Sequence, residues 1–215
     1  MDHCKLYADK PEDFYFRQMR SRGVRGVWFR ARQSFVANLV RKYDKGGIIL
    51  DIGCGNSLWN VDGCPVAGID ICEGMLRRNK KECAAFYPVK ADFSKGLPVK
   101  SESVDLVVVT EILEHMIDQS ALVSEIHRIL KKDGAVIVSV PHEEWPGLWG
   151  GLFTVWCFYK AWRYNDEYYR YRCGHVVRFG PVKLRQVFAD FVHVEQKSLG
   201  LLTMFFVAQK REARS

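Results

Sequence analysis

The run Ile48-Ile-Leu-Asp-Ile52 passes directly into Gly53-Cys-Gly-Asn56, and this junction constrains the fold more than any other segment. An apolar run broken by a single acid, with no helical spacing, reads as a buried strand. Glycines immediately after it allow a sharp turn and a close approach of backbone to a ligand, because no Cβ intervenes. A buried strand of this kind needs parallel neighbours reached by crossovers, so strands and helices should alternate along the chain. The rest of the sequence has that form. Trp28, Ala31, Phe35, Leu39 and Tyr43 recur at helical spacing before the first strand. Val66-Ala-Gly-Ile-Asp70 reads as a second strand, with a helix through Met75 and Leu76 after it. Tyr87 to Lys90 reads as a third strand, and Val104 to Thr110, almost continuously apolar, as a central fourth. Asp118 to Leu130 should be a helix closed by Lys131-Lys-Asp-Gly134, with the glycine as its cap. Ala135 to Val140 should be a fifth strand, stopped by Pro141. A last helix begins at Gly180-Pro181, and segments 191–198 and 201–209 close the chain as an antiparallel hairpin.

Three acids stand at the ends of the first three strands: Asp51, Asp70 and Asp92. In doubly wound sheets such ends border one crevice. Asp51 suits an ammonium group, an acid after the second strand suits ribose hydroxyls, and one after the third suits an exocyclic amine. The series Leu50-Asp-Ile-Gly-Cys-Gly-Asn56, Gly68-Ile-Asp70, Ala91-Asp-Phe93, Val107-Val-Val-Thr-Glu-Ile-Leu-Glu-His115 and Leu130-Lys-Lys-Asp-Gly-Ala-Val-Ile-Val138 resembles, in order and spacing, the class I S-adenosylmethionine-dependent methyltransferases, small-molecule branch. The resemblance implies an α/β fold: a Rossmann-like, doubly wound, mainly parallel seven-stranded sheet with an antiparallel last strand and helices on both faces. It implies S-adenosyl-L-methionine as cofactor and S-adenosyl-L-homocysteine as product. Asp51, Gly53, Cys54 and Gly55 would hold the methionine part, Asp70 and Ile71 the ribose, and Asp92 and Phe93 the adenine, with Thr110 and Glu111 completing the cofactor site. A nicotinamide-binding dehydrogenase is the nearest competitor, but its fingerprint wants a third glycine, and Ser57 stands where many methyltransferases and dehydrogenases have one. Only eighteen residues lie between Asp51 and Asp70, so the first crossover helix, around 57–61, should be abbreviated.

Methyl transfer from a sulfonium is a one-step displacement, in which an enzyme orients the reactants and removes at most one proton. His115, His142 and His175 are the catalytic candidates, each set against the plainer reading of a hydrogen-bonded loop or pocket histidine. Glu111, Glu114 and His115 lie within about one helical turn. The sequence Glu-x-x-Glu-His looks like that of the ubiquinone-type O-methyltransferases, where a divalent ion is associated with these positions. A helix cap beside a pocket histidine is the reading preferred here over metal.

Eleven aromatic residues fall between Trp145 and Tyr171. Trp145, Trp149, Phe153, Trp156 and Lys160 share one face if helical, with Gly150-Gly151 weakening or hinging that helix. The block reads as a cover, residues 142–179, over an apolar or aromatic acceptor; packing against the sheet edge and lying on a membrane are the alternatives. Net charge is +7, and Arg17, Arg20, Arg22, Arg25, Arg30 and Arg32 fall in one stretch without acids, inside an N-terminal helical cap over 1–45. That stretch could meet nucleic acid, anionic lipid or an acidic substrate, or be a solvated basic face. Nucleic acid is disfavoured: the Asn/Asp-Pro-Pro-aromatic loop of adenine-N6 enzymes is missing after the fourth strand, and the Pro-Cys of cytosine-C5 chemistry is missing in its place. A non-catalytic S-adenosylmethionine-binding scaffold is the third reading. Seven scattered cysteines without a C-x-x-C pair, no secretory signal and no apolar run near 20 residues suggest a cytoplasmic single domain, with peripheral membrane contact as the alternative.

Overall fold

The structure is a computed structural model; it describes residues 11–144, 149–165, 169 and 172–211. Two helices, α1 (Phe14–Arg20) and α2 (Val24–Tyr43), lead into β1 (Ile49–Ile52). Then follow β2 (Val66–Asp70), α3 (Glu73–Glu82), β3 (Phe86–Lys90), β4 (Val104–Thr110), α4 (Ser120–Ile129) and β5 (Leu130–Pro141). After them come α5 (Trp149–Tyr164), α6 (Pro181–Val187), β6 (Phe191–Leu199) and β7 (Thr203–Lys210). The seven strands form one sheet in the order β3-β2-β1-β4-β5-β7-β6. The first five run parallel, and β7 inserts antiparallel between β5 and β6. This is the expected doubly wound topology.

Strand alternation divides the core in two. Leu50, Ile52, Val107, Val109, Val136 and Val138 face one side, where Leu122, Ile126 and Ile129 of α4 and Leu184 of α6 pack on them. Ile49, Leu106, Val108, Ile137 and Phe205 face the other, against Val36, Leu39 and Val40 of α2 and Leu76 of α3. Both faces of the central strands are thus covered, as their largely apolar sequence requires.

Three local expectations are corrected. The crossover from β1 to β2 contains turns and no helix. Ser57 there has φ +42°, a left-handed conformation that glycine adopts readily, which explains why a glycine is usual at this place; here the Ser57 hydroxyl holds the turn by donating to Asp51. Helix α4 ends at Ile129 without a glycine cap and β5 begins at once with Leu130; the left-handed residue, Asp133 (φ +59°) and not Gly134, lies within β5. Gly134 is required by space instead, since a Cβ there would lie 2.9 Å from the Lys131 carbonyl oxygen. Finally, the Gly150-Gly151 pair does not hinge α5 but lies in its first turn, where a Cβ on Gly150 would meet the Glu143 carbonyl oxygen at 2.5 Å. Among the described residues no helix is long and apolar enough to cross a membrane.

Candidate active site

The glycine loop is organised by two buried carboxylates. Asp51 Oδ2 accepts hydrogen bonds from the Ser57 hydroxyl (2.7 Å) and the Trp59 indole N–H (2.8 Å). Its Oδ1 is buried and accepts no hydrogen bond. Burial raises the Asp51 pKa to about 7, against the lowering effect of those two donors. Asp70 accepts the backbone N–H of Gly55 (2.8 Å) through Oδ2 and that of Cys72 (2.7 Å) through Oδ1. Burial raises its pKa too. A carboxylate oxygen has two lone pairs, so each Asp70 oxygen can take a further donor such as a ribose hydroxyl. Half-buried Ile71 follows at the bend.

Three of the loop's N–H groups are turned inward. Those of Gly53 and Cys54 both donate to the Ile69 carbonyl, and that of Gly55 goes to Asp70. Acceptors therefore dominate what the loop offers, and an ammonium needs acceptors. Space is tight: a Cβ on Gly53 (φ +64°) would lie 2.3 Å from Ile112 Cδ1, and one on Gly55 (φ +48°) 2.8 Å from Tyr15 Cε2. Phe93 also borders Gly53. The unsatisfied Asp51 oxygen, the two glycines without room for a side chain and the spare acceptor capacity of Asp70 together fit the methionine and ribose parts of S-adenosylmethionine. Cys54 is buried, and burial pushes its thiol pKa up, so it lines the site as a small apolar group. Asp92 is turned to its own loop: Oδ1 accepts from the Ser94 N–H and hydroxyl, and Oδ2 pairs with Lys95 at 3.0 Å.

At the exit of β4, Thr110 aligns with Ser139 of β5, and Glu111 has φ +55°. The Glu111 carboxylate accepts from the Ser139 hydroxyl (2.9 Å) and pairs with Arg32 Nη1 of α2 (2.7 Å). Arg32 is buried and lies over the rings of Trp28 and Phe29. The sequence reading that counted Arg32 with a basic stretch free for solvent or partners is wrong for this residue. Its spacing of four from Trp28, on the apolar stripe of α2, was the available signal.

Glu114 is 1 % exposed, and neither carboxylate oxygen accepts a hydrogen bond. Burial, then the neighbouring Glu111 charge, pushes its pKa well above the usual range. His115 Nε2 is 3.9 Å from Glu114 Oε1, and the His115 ring meets the His175 ring edge-on at 4.9 Å. His175 Nδ1 lies 2.8 Å from Oε1 of Glu143, and Phe153 of α5 covers the His175 ring at 4.7 Å. Sequence reasoning missed Glu143, although it follows His142 directly. Ligand atoms of Glu114, His115 and His175 all lie within 4.8 Å of one another, so these three could hold a divalent ion. His142 points elsewhere: it lines a hollow with Pro181, Ser198 and Met204, and both its ring nitrogens are buried without partners.

Phe153, Cys157 and Cys173 form a small core of their own, apart from the two sheet cores, with Trp156 and Tyr169 against it. Trp145 and the Trp149 side chain lie outside the described residues.

Residues 50–138 match the family model described as methyltransferase domain. A probable S-adenosylmethionine-dependent methyltransferase of Mycolicibacterium smegmatis is 32% identical over 124 residues, 54% of this chain and 46% of that protein. A ubiquinone biosynthesis O-methyltransferase of Bartonella quintana is 28% identical over 114 residues, covering 47% of this chain and 44% of the relative. The chain spans less than half the length of these curated relatives. The N-methyltransferase NodS of Bradyrhizobium japonicum, solved with S-adenosyl-L-homocysteine, shares the fold with TM-score 0.64 and 16% identity over 98% of this chain and 96% of that one. Motif order, loop geometry and these likenesses agree: over residues 50–138 the chain is similar to the S-adenosylmethionine-dependent methyltransferases.

Proposed function

We propose that the protein is an enzyme that transfers the methyl group of S-adenosylmethionine to a small or lipid-like acceptor, with residues 142–179 as the cover of the acceptor site. The observation that carries this reading is the Glu143–His175 pair, set between the β4 exit and Phe153. The cofactor supplies the electrophilic methyl carbon; the chain supplies orientation and one proton acceptor. Glu143 bound to Nδ1 fixes the His175 tautomer with its proton there, which leaves the Nε2 lone pair to accept a proton from the acceptor's hydroxyl or amine. Glu114 and His115 line the same space, and Ile112 joins it to the glycine loop. Phe153 supplies apolar cover, which excludes water from the transfer. His142, facing another hollow, has no part in this step.

Turnover with radiolabelled cofactor on fractionated metabolite and lipid extracts tests the proposal. A labelled small or lipid product is expected, with kcat lowered about 100-fold or more in His175→Ala. Phe153→Ala should raise KM for the acceptor and spare cofactor binding. Label in RNA alone, or none in any fraction with cofactor still bound, refutes the acceptor reading. Loss of turnover after chelation, restored by a divalent ion, would favour Glu114, His115 and His175 as ligands over His175 as base.

A further inference from the structure

Helix α5 is apolar on two sides. Phe153 and Cys157 turn inward to the small core over the acceptor cluster. Leu152, Val155, Phe158, Tyr159 and Trp162 turn outward and are 61%, 71%, 74%, 53% and 81% exposed. At about 100° per residue these five fall within an arc of about 120°. So large a continuous apolar surface on a soluble protein marks a contact with something else.

The charge around it indicates what. Neither α5 nor residues 14–43 contain an acidic residue. Exposed Arg163 lies beside the outward arc, and Lys160 follows it round the helix. On that same flank is Trp156, whose ring carries the Arg25 guanidinium at 5.1 Å. This contact brings the start of α2, with exposed Arg20 and Arg22 before it, against α5. The arc is therefore bordered by cations, and the aromatic side chains Tyr159 and Trp162 are of the type that settles at a lipid–water boundary. The helix is about 24 Å long at 1.5 Å per residue, shorter than a bilayer core of about 30 Å, and its inner side is already packed on protein. It suits lying in the interface and not crossing it.

We propose that α5, with the basic junction of α1 and α2, docks the protein on an anionic lipid bilayer, apolar arc down and arginines on the headgroups. The surface would place the acceptor site beneath α5 next to the membrane. It adds to the reading of the acceptor above without depending on it, because docking is measured without turnover.

Co-sedimentation with vesicles of phosphatidylcholine, and of phosphatidylcholine with 30 mol % phosphatidylserine, is the test. Binding should favour the anionic vesicles and weaken as salt is raised, since screening reaches the exposed arginines. Phe158→Ser with Trp162→Ser should lower partitioning about tenfold or more. Arg20→Glu with Arg22→Glu should do the same on anionic vesicles only. Calorimetry with S-adenosylhomocysteine shows that each variant is folded. Vesicle binding without methylation of any lipid upholds docking while counting against a lipid acceptor. Absence of vesicle binding, or binding untouched by both variants, overturns the proposal. So does a dimer dispersed by the Phe158/Trp162 changes, or RNA binding that replaces vesicle binding and is lost in the arginine variant.

Discussion

Asp51 should make cofactor binding depend on pH in a calculable way. Its pKa in the folded protein is about 7, raised by burial. Below that value it is mostly neutral and a poor partner for the cofactor's ammonium, whose own ordinary pKa of about 7.7–8.0 keeps it charged. A cation at ion-pair separation contributes about 4 kcal/mol at an effective dielectric of 20. That is about three pKa units, enough to return Asp51 to the ordinary carboxylate range. Binding must then expel a proton: about 0.9 per site at pH 6, and about half at pH 7. The dissociation constant should fall about 16-fold from pH 5.5 to pH 7. Calorimetry in buffers of different ionisation enthalpy measures both quantities. Asp51→Asn should remove the pH dependence and leave binding near the weak, low-pH value. Stability carries the opposite sign. A raised acid pKa means that the folded state holds the proton more tightly than the unfolded one, so stability is present below about pH 4 and is lost as pH rises through 7. The unliganded protein should lose up to about 4 kcal/mol across that window relative to Asp51→Asn. A dissociation constant that is flat between pH 5.5 and 7, or a slope retained in Asp51→Asn, would refute the reasoning.

Other residues give sharper single outcomes. Arg32→Ala strands the half-buried Glu111 charge and should cost about 3–5 kcal/mol by denaturant titration, with much of it recovered in the double variant Arg32→Ala/Glu111→Gln. Gly53→Ala combines a left-handed φ of +64° with a clash on Ile112. It should cost about 1–2 kcal/mol in stability and weaken S-adenosylhomocysteine binding more than about tenfold, read by melting and calorimetry. Gly150→Ala must push the start of α5 off the Glu143 carbonyl. It should raise KM for the acceptor while the calorimetric cofactor affinity holds.

The sheet and the glycine loop were legible because local rules fix them. Strands buried on both faces show nearly continuous apolar runs, as Val104 to Thr110 does, and a glycine turn after such a strand has few uses. The ends of elements were less legible. Ser57 and Asp133 adopt left-handed backbone where glycine is the usual residue. Ser57 is held by one hydroxyl reaching back to Asp51, and no pattern in the sequence announces a hydrogen bond across six residues.

The histidine cluster proposed as the acceptor side was legible as residue types and not as an arrangement, for the same reason extended over longer distances. His115 and His175 are sixty residues apart, and only the return of the chain through α5 brings their rings to 4.9 Å. Glu143 and His142 are neighbours just past the end of β5, yet the acid joins the cluster at His175 and the histidine lines a separate hollow. Arg32 shows the converse error. Counted by charge it belongs with Arg20 and Arg22, yet helical phase puts it on the buried stripe, where it meets Glu111. The Trp145–Tyr171 block left its orientation open. An apolar helix face normally implies a core beneath it, but α5 has two such faces, and among the described residues only one is covered. The periodicity of Phe153 and Trp156 identified the inner face, while Leu152, Val155, Tyr159 and Trp162, equally periodic, form the outer. A helix that is apolar all round is ordinarily buried on every side, so the exposure of the outward arc of α5 is the departure that the proposed bilayer docking accounts for.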